Sequence, residues 1–74
     1  MEIFLIIKNK FGEFRSKPIM VNEEDYENIV ELSKGFYLSG YEMDTEEGFV
    51  VMPPEIIKES ILIIQKNETD QGTI

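Results

Sequence analysis

The stretch Glu2-Ile-Phe-Leu-Ile-Ile-Lys8 decides the fold, because an unbroken apolar run stands between two charged residues. Isoleucine and phenylalanine favour extended strands, and such a run is typical of a strand covered on both faces or lying at an oligomer interface. A second run of the same kind, Ile61-Leu-Ile-Ile64, lies near the other end of the chain. The sequence therefore predicts that residues 2–8 and 61–66 are buried strands and neighbours in one sheet.

The residues after the first strand indicate a hairpin. Asn9-Lys-Phe-Gly12 has the composition of a turn, in which Gly12 can adopt a positive φ. Polar and apolar residues then alternate from Glu13 to Val21, which predicts a second strand antiparallel to the first. Pro18 cannot donate a hydrogen bond to a neighbouring strand, so we expect this strand to be an edge strand or to be bulged there.

Residues 23–34 carry the pattern of an amphipathic helix. Asn22 is a favourable N-cap, and acidic residues fill the first turn, where they stabilise the positive end of the helix dipole. Gly35 is in place to end the helix. The expected buried positions follow the spacing i, i+3, i+4, i+7 and are Tyr26, Ile29, Val30 and Ser33.

The second half of the chain predicts more strands. Phe36–Leu38 is expected to pack down from the helix end, and residues 41–45 and 48–52 form a hairpin whose turn needs a positive φ at Gly48. Residues 54–59 fit either one helical turn or an extended edge.

Together these elements predict an α+β fold in the order β-β-α-β-β-β. We expect a mostly antiparallel sheet of four to five strands with one main helix packed on one face. Residues 1–67 form a single domain in this interpretation, and residues 68–74 form a flexible polar C-terminal tail.

The composition argues against an enzyme. The 74 residues include no cysteine and no histidine, which excludes disulfides and thiolate metal sites and removes the usual general base. No serine lies in a nucleophile motif, and the acids at 44, 46 and 47 lack the spacing of a calcium loop. We expect no cofactor and no metal. With neither a signal peptide nor an apolar run of about 20 residues, we expect a cytoplasmic protein without membrane contact.

The net charge of −8 argues against direct nucleic-acid binding and draws attention to the acidic residues. A solvated helix face is one interpretation, and a partner-binding surface is the other. The most specific form of this hypothesis is that the acidic surface mimics phosphates and blocks a host nucleic-acid-binding or defence protein, as a phage or mobile-element inhibitor would. A short chain without crosslinks also predicts a homo-oligomer. The predicted partner-binding acidic face consists of Glu23, Glu24, Glu27, Glu31, Asp44, Glu46 and Glu47.

The hairpin at residues 8–17 suggests an alternative function, because it is locally basic. Its charges protect an edge strand from aggregation in one interpretation. In the other, an oligomer binds a small anion such as a nucleotide signal, with cations at the phosphate and aromatic rings stacked on the base. The residues of this alternative site are Lys8, Lys10, Phe11, Arg15, Lys17, Tyr37 and Tyr41.

Overall fold

A computed structural model of the chain describes residues 1–67, so the predicted tail at 68–74 lies outside the described residues. The fold is α+β with antiparallel strands, as predicted. In chain order the elements are β1 (Glu2–Asn9), β2 (Gly12–Arg15), β3 (Ile19–Met20), α1 (Glu23–Ser33), α2 (Phe36–Ser39), β4 (Tyr41–Thr45), β5 (Gly48–Met52), α3 (Pro54–Ile57) and β6 (Ile61–Asn67).

Strand β1 is the centre of the main sheet. Strands β2 and β3 lie along one edge of β1, and β6 lies along the other in a register that runs from Glu2–Asn67 to Lys8–Ile61. The prediction that the two apolar strands are neighbours is therefore confirmed. Strands β4 and β5 form the predicted hairpin as a separate two-stranded sheet.

The prediction of one continuous strand over residues 13–21 is wrong, because the chain leaves β1 after Arg15. The Ser16 hydroxyl accepts a hydrogen bond from the Leu5 N–H, and the Lys17 N–H donates to the carbonyl of Asp44 in β4. Pro18 has no N–H with which to continue the ladder. Pairing with β1 resumes at Ile19. Between the two paired segments, Ser16 is bridged to Thr45 and so connects the main sheet to the β4–β5 hairpin.

The main hydrophobic cluster lies on one face of the main sheet, which we call the inner face. Leu5 and Ile7 of β1 contribute to it, and Ile57 of α3 is fully buried there. Ile29 of α1 packs against the same cluster. Residues alternate between faces along a strand, so Phe4, Ile6 and Ile63 point to the opposite side, the outer face.

Helix α1 begins as predicted, because the Asn22 side chain accepts a hydrogen bond of 2.7 Å from the Asp25 N–H. Its less exposed residues are the four predicted ones. Helix α1 ends at Ser33 with Lys34 as its C-cap, so Gly35 lies at the predicted stop position. Its φ is −78°, however, a right-handed value, and the short helix α2 follows directly. Gly40, with φ of +81°, ends that helix. Of the two options for residues 54–59, the helical turn is observed, as α3.

Candidate functional site

The first candidate surface is a row of carboxylates on α1, which we call the acidic row. It consists of Glu23, Glu24, Glu27 and Glu31, all exposed. Glu23, Glu27 and Glu31 follow each other at intervals of four residues, so they lie on one side of the helix about 6 Å apart along its axis. Glu31 pairs with Lys34 at 3.1 Å. Among residues 1–67, the other three carboxylates have no cation within salt-bridge distance.

The second candidate surface is the turn between β4 and β5, with Asp44, Glu46 and Glu47, which we call the acidic tip. The Thr45 hydroxyl donates to the carbonyl of Gly48 at 2.6 Å and accepts a hydrogen bond from the Glu47 N–H at 3.2 Å. These bonds fix the turn and leave the side chains of Glu46 and Glu47 exposed. Asp44 pairs with Lys17 at 3.6 Å.

The structure attaches the acidic row and the acidic tip to opposite edges of β1. Tyr26 of α1 lies against Lys66 of β6, with the ammonium group 4.6 Å from the ring centre. The tip, in contrast, follows Thr45, which is bridged to Ser16 beyond the end of β2. The seven acidic residues therefore lie on two surfaces instead of one.

A groove of about 680 Å³ lies beside the acidic tip and was not anticipated from the sequence. Phe4, Phe14 and Phe49 supply apolar lining, and Phe49 is 64% exposed. The Arg15 guanidinium lies over the Phe4 ring at 4.1 Å. Glu13 and the tip residues Glu46 and Glu47 also line the groove, so its charges sum to −2. The sequence contained one indication that Phe49 is exposed, because it alternates with the inward-facing residues of β5.

The cations of the basic hairpin are largely neutralised by carboxylates. Lys8 pairs with Glu13 at 3.6 Å, and Lys10 pairs with Glu59 at 3.9 Å. Lys17 pairs with Asp44, as described above, and Arg15 stacks on Phe4. Phe11 is 62% exposed, and the Lys10 ammonium lies 5.5 Å from its ring centre. The counter-charges at 44 and 59 are distant in sequence from the lysines they pair with, so no local pattern predicts them.

The two tyrosines of the alternative site lie elsewhere. Tyr41 stacks on Phe36 with ring centres 4.1 Å apart, and burial raises the pKa of its phenol. Tyr41 lines a separate depression of about 380 Å³, and Tyr37 is half-buried in α2. Along β4, Tyr41 lies about 13 Å from Thr45, which lines the first groove. Arg15 and Tyr41 thus belong to different concavities.

Within residues 1–67, no three acidic side chains converge as a metal site. No helix in the same range has the length and apolar character needed to cross a bilayer. Searches against known protein families, characterised proteins and solved structures find no significant match to this chain.

Proposed function

We propose that this chain is a small protein-interaction module that binds a basic surface of a protein partner through the acidic row. The observation that supports the proposal is the uneven neutralisation of charge. Of the seven cationic side chains, Lys8, Lys10, Lys17 and Lys34 each face a carboxylate. Glu23, Glu24 and Glu27 have no such counter-charge among the described residues.

Exposed and uncompensated charge acts at long range. A cluster of one sign on a rigid element steers a partner of opposite sign and raises the association rate, with little effect on dissociation. Asn22 caps the start of helix α1, and the helical backbone sets the spacing of Glu23, Glu24 and Glu27. This arrangement favours recognition of lysine and arginine side chains on a folded partner.

The finer proposal is that the partner is a nucleic-acid-binding protein, which this chain inhibits by occupying its basic groove. Glu23, Glu27 and Glu31 place a carboxylate about every 6 Å along the helix, whereas one DNA strand places a phosphate about every 3.4 Å along the duplex axis. These three carboxylates therefore supply negative charge at about half that density. We expect the row to compete with nucleic acid through electrostatic attraction and not by reproducing the positions of single phosphates.

Paired charge-reversal variants test the proposal. The row variant is Glu24→Lys/Glu27→Lys, and the control is Glu42→Lys/Glu55→Lys, which changes the net charge equally at exposed positions outside the row. Tagged proteins capture a partner from nuclease-treated lysate, and association rates with the purified partner are then measured at two salt concentrations. We expect a drop of about tenfold or more for the row variant at low salt and a smaller drop for the control.

Two results would contradict the proposal. The first is a row variant that binds the purified partner as fast as the control does. The second is a partner whose association rate with the unmodified chain does not change with salt. A separate experiment tests inhibition of a nucleic-acid-binding protein. The purified partner should release its bound DNA or RNA when the chain is added.

A further inference from the structure

Strand β6 has one edge that no other strand covers among the described residues. Its seven residues pair with β1 in an unbroken antiparallel register, and within residues 1–67 no other strand pairs with it. A strand edge that is open to solvent presents a row of N–H and C=O groups to which another strand can add.

Hydrogen bonds at Leu5 show which β6 residues face this open edge. The Leu5 N–H donates to the Ser16 hydroxyl at 2.9 Å, and the Leu5 carbonyl accepts from the Ser16 N–H at 2.8 Å. The backbone groups of Leu5 therefore point towards β2, and those of its neighbours Phe4 and Ile6 point towards β6. Their partners Gln65 and Ile63 are thus bonded to β1.

The same alternation directs the N–H and C=O groups of Leu62, Ile64 and Lys66 to the open edge. Natural edge strands are usually protected by a proline, a bulge or an exposed lysine. Residues 61–64 contain no proline or charge, and the register has no bulge. The ammonium group of Lys66 is engaged with Tyr26 on the inner face. Residues 61–64 of this edge therefore lack the usual protection, and the exposed Lys66 lies beyond them.

We propose that a second copy of this chain pairs with β6 through the open edge, antiparallel and about a two-fold axis. The favoured register centres on Ile63, which faces Ile63 of the second copy. Leu62 then faces the second copy's Ile64, and Ile64 faces its Leu62. Each of these two pairs exchanges two hydrogen bonds, and every cross-strand contact at residues 62–64 is apolar.

Charge also favours a second copy at this position. Strand β6 contains no carboxylate and one cation, Lys66, in a chain of net charge −8. Two identical chains repel each other through most of their surface, and the seam between two β6 strands is free of like acidic charges. A two-fold axis perpendicular to the sheet joins the two main sheets into one of eight strands. It also places both α1 helices, and therefore both acidic rows, on the same side.

Amide hydrogen exchange tests the pairing directly. Amides of Ile61, Ile63 and Gln65 are bonded to β1 and exchange slowly in either state. Amides of Leu62 and Ile64 are protected only if a second strand covers the edge. We expect light scattering to give twice the mass of 8.6 kDa at 1 mM chain, with protection of both amides by at least about 100-fold that is lost on dilution. A monomer at 1 mM, or a dimer whose Leu62 and Ile64 amides exchange freely, overturns the proposal.

Charge variants supply a second test. Ile63→Lys and Ile63→Glu each place like charges opposite each other across the axis, and we expect both variants to be monomeric. Mixing them in equal amounts creates opposite charges and is expected to restore the dimer. Ile61→Lys is the control, because Ile61 lies on the same face but opposite the second copy's Gln65. If the Ile63 variants stay dimeric, or the folded mixture stays monomeric, the register centred on Ile63 is wrong.

Discussion

Replacing Ser16 with alanine should destabilise this chain more than its small change in volume suggests. Ser16 is 4% exposed, and its hydroxyl accepts the N–H of Leu5, which is 3% exposed. The hydroxyl also donates to the carbonyl of Lys17 at 2.9 Å. In Ser16→Ala the buried Leu5 N–H loses its acceptor, at the point where the chain leaves β1.

The expected loss follows from the cost of an unsatisfied buried donor, which is about 1–3 kcal/mol. We expect the free energy of unfolding to fall by about 2 kcal/mol. A 74-residue domain has a total of about 4–11 kcal/mol at typical stability per residue. The same loss lowers the melting temperature by roughly 8–16 °C in a domain of this size.

Urea denaturation followed by circular dichroism measures this loss, at one fixed protein concentration because association would add stability. The control is Ser39→Ala, since Ser39 is exposed and its hydroxyl bonds to the Gly35 carbonyl at an exposed position, and we expect it to cost less than about 0.5 kcal/mol. The reasoning is refuted if Ser16→Ala unfolds at the same urea concentration as Ser39→Ala with an unchanged m-value.

Four other substitutions have distinct expected outcomes. Gly40→Ala should cost about 3 kcal/mol in urea unfolding, because φ is +81° and the new Cβ would lie 2.7 Å from the carbonyl of Met52. Gly48→Ala, with φ of +133° and open space around it, should cost about 1 kcal/mol. If Gly40→Ala and Gly48→Ala lose the same free energy of unfolding, the close approach to the Met52 carbonyl does not add to the cost at Gly40. Asn22→Ala removes the α1 cap and should cost about 1 kcal/mol, whereas an unchanged midpoint would show that the cap is dispensable. Burial raises the pKa of Tyr41 above 10.0, so its contribution to the free energy of unfolding should be fully present below pH 10.0 and should be lost as the pH rises through the folded pKa. Tyr41→Phe should weaken this alkaline decline, and identical melting curves of the two proteins at alkaline pH would contradict the expectation.

The sequence was sufficient to predict an element of the fold wherever one local pattern determined that element. Asn22 and the acids after it mark the start of α1, and the apolar spacing marks its buried side. The runs at 3–7 and 61–64 predict adjacent strands because both need burial. These features depend on residues close to one another in the chain or on hydrophobicity alone.

The sequence was insufficient wherever a distant partner decided the outcome. The strand break after Arg15 depends on the hydrogen bond that the Leu5 N–H donates to the Ser16 hydroxyl and on the approach of β4, neither of which leaves a local pattern. Gly35 and Gly40 are equally able to adopt a positive φ, and the close approach of Met52 to Gly40 decides between them. The groove at Phe49 likewise requires the hairpin to lie beside β2.

The pairing of β6 with β1 has a consequence for the order of folding. The Asn67 side chain donates to Glu2, 65 residues away, so the ladder closes almost the whole described chain into a loop. Closing this loop costs about 3 kcal/mol more entropy than closing a two-residue hairpin turn. The β1–β2 and β4–β5 hairpins are local and can form within microseconds, so we expect β6 to dock last. Until it docks, both β6 and one side of β1 are open to other chains, and refolding yield should fall as protein concentration rises.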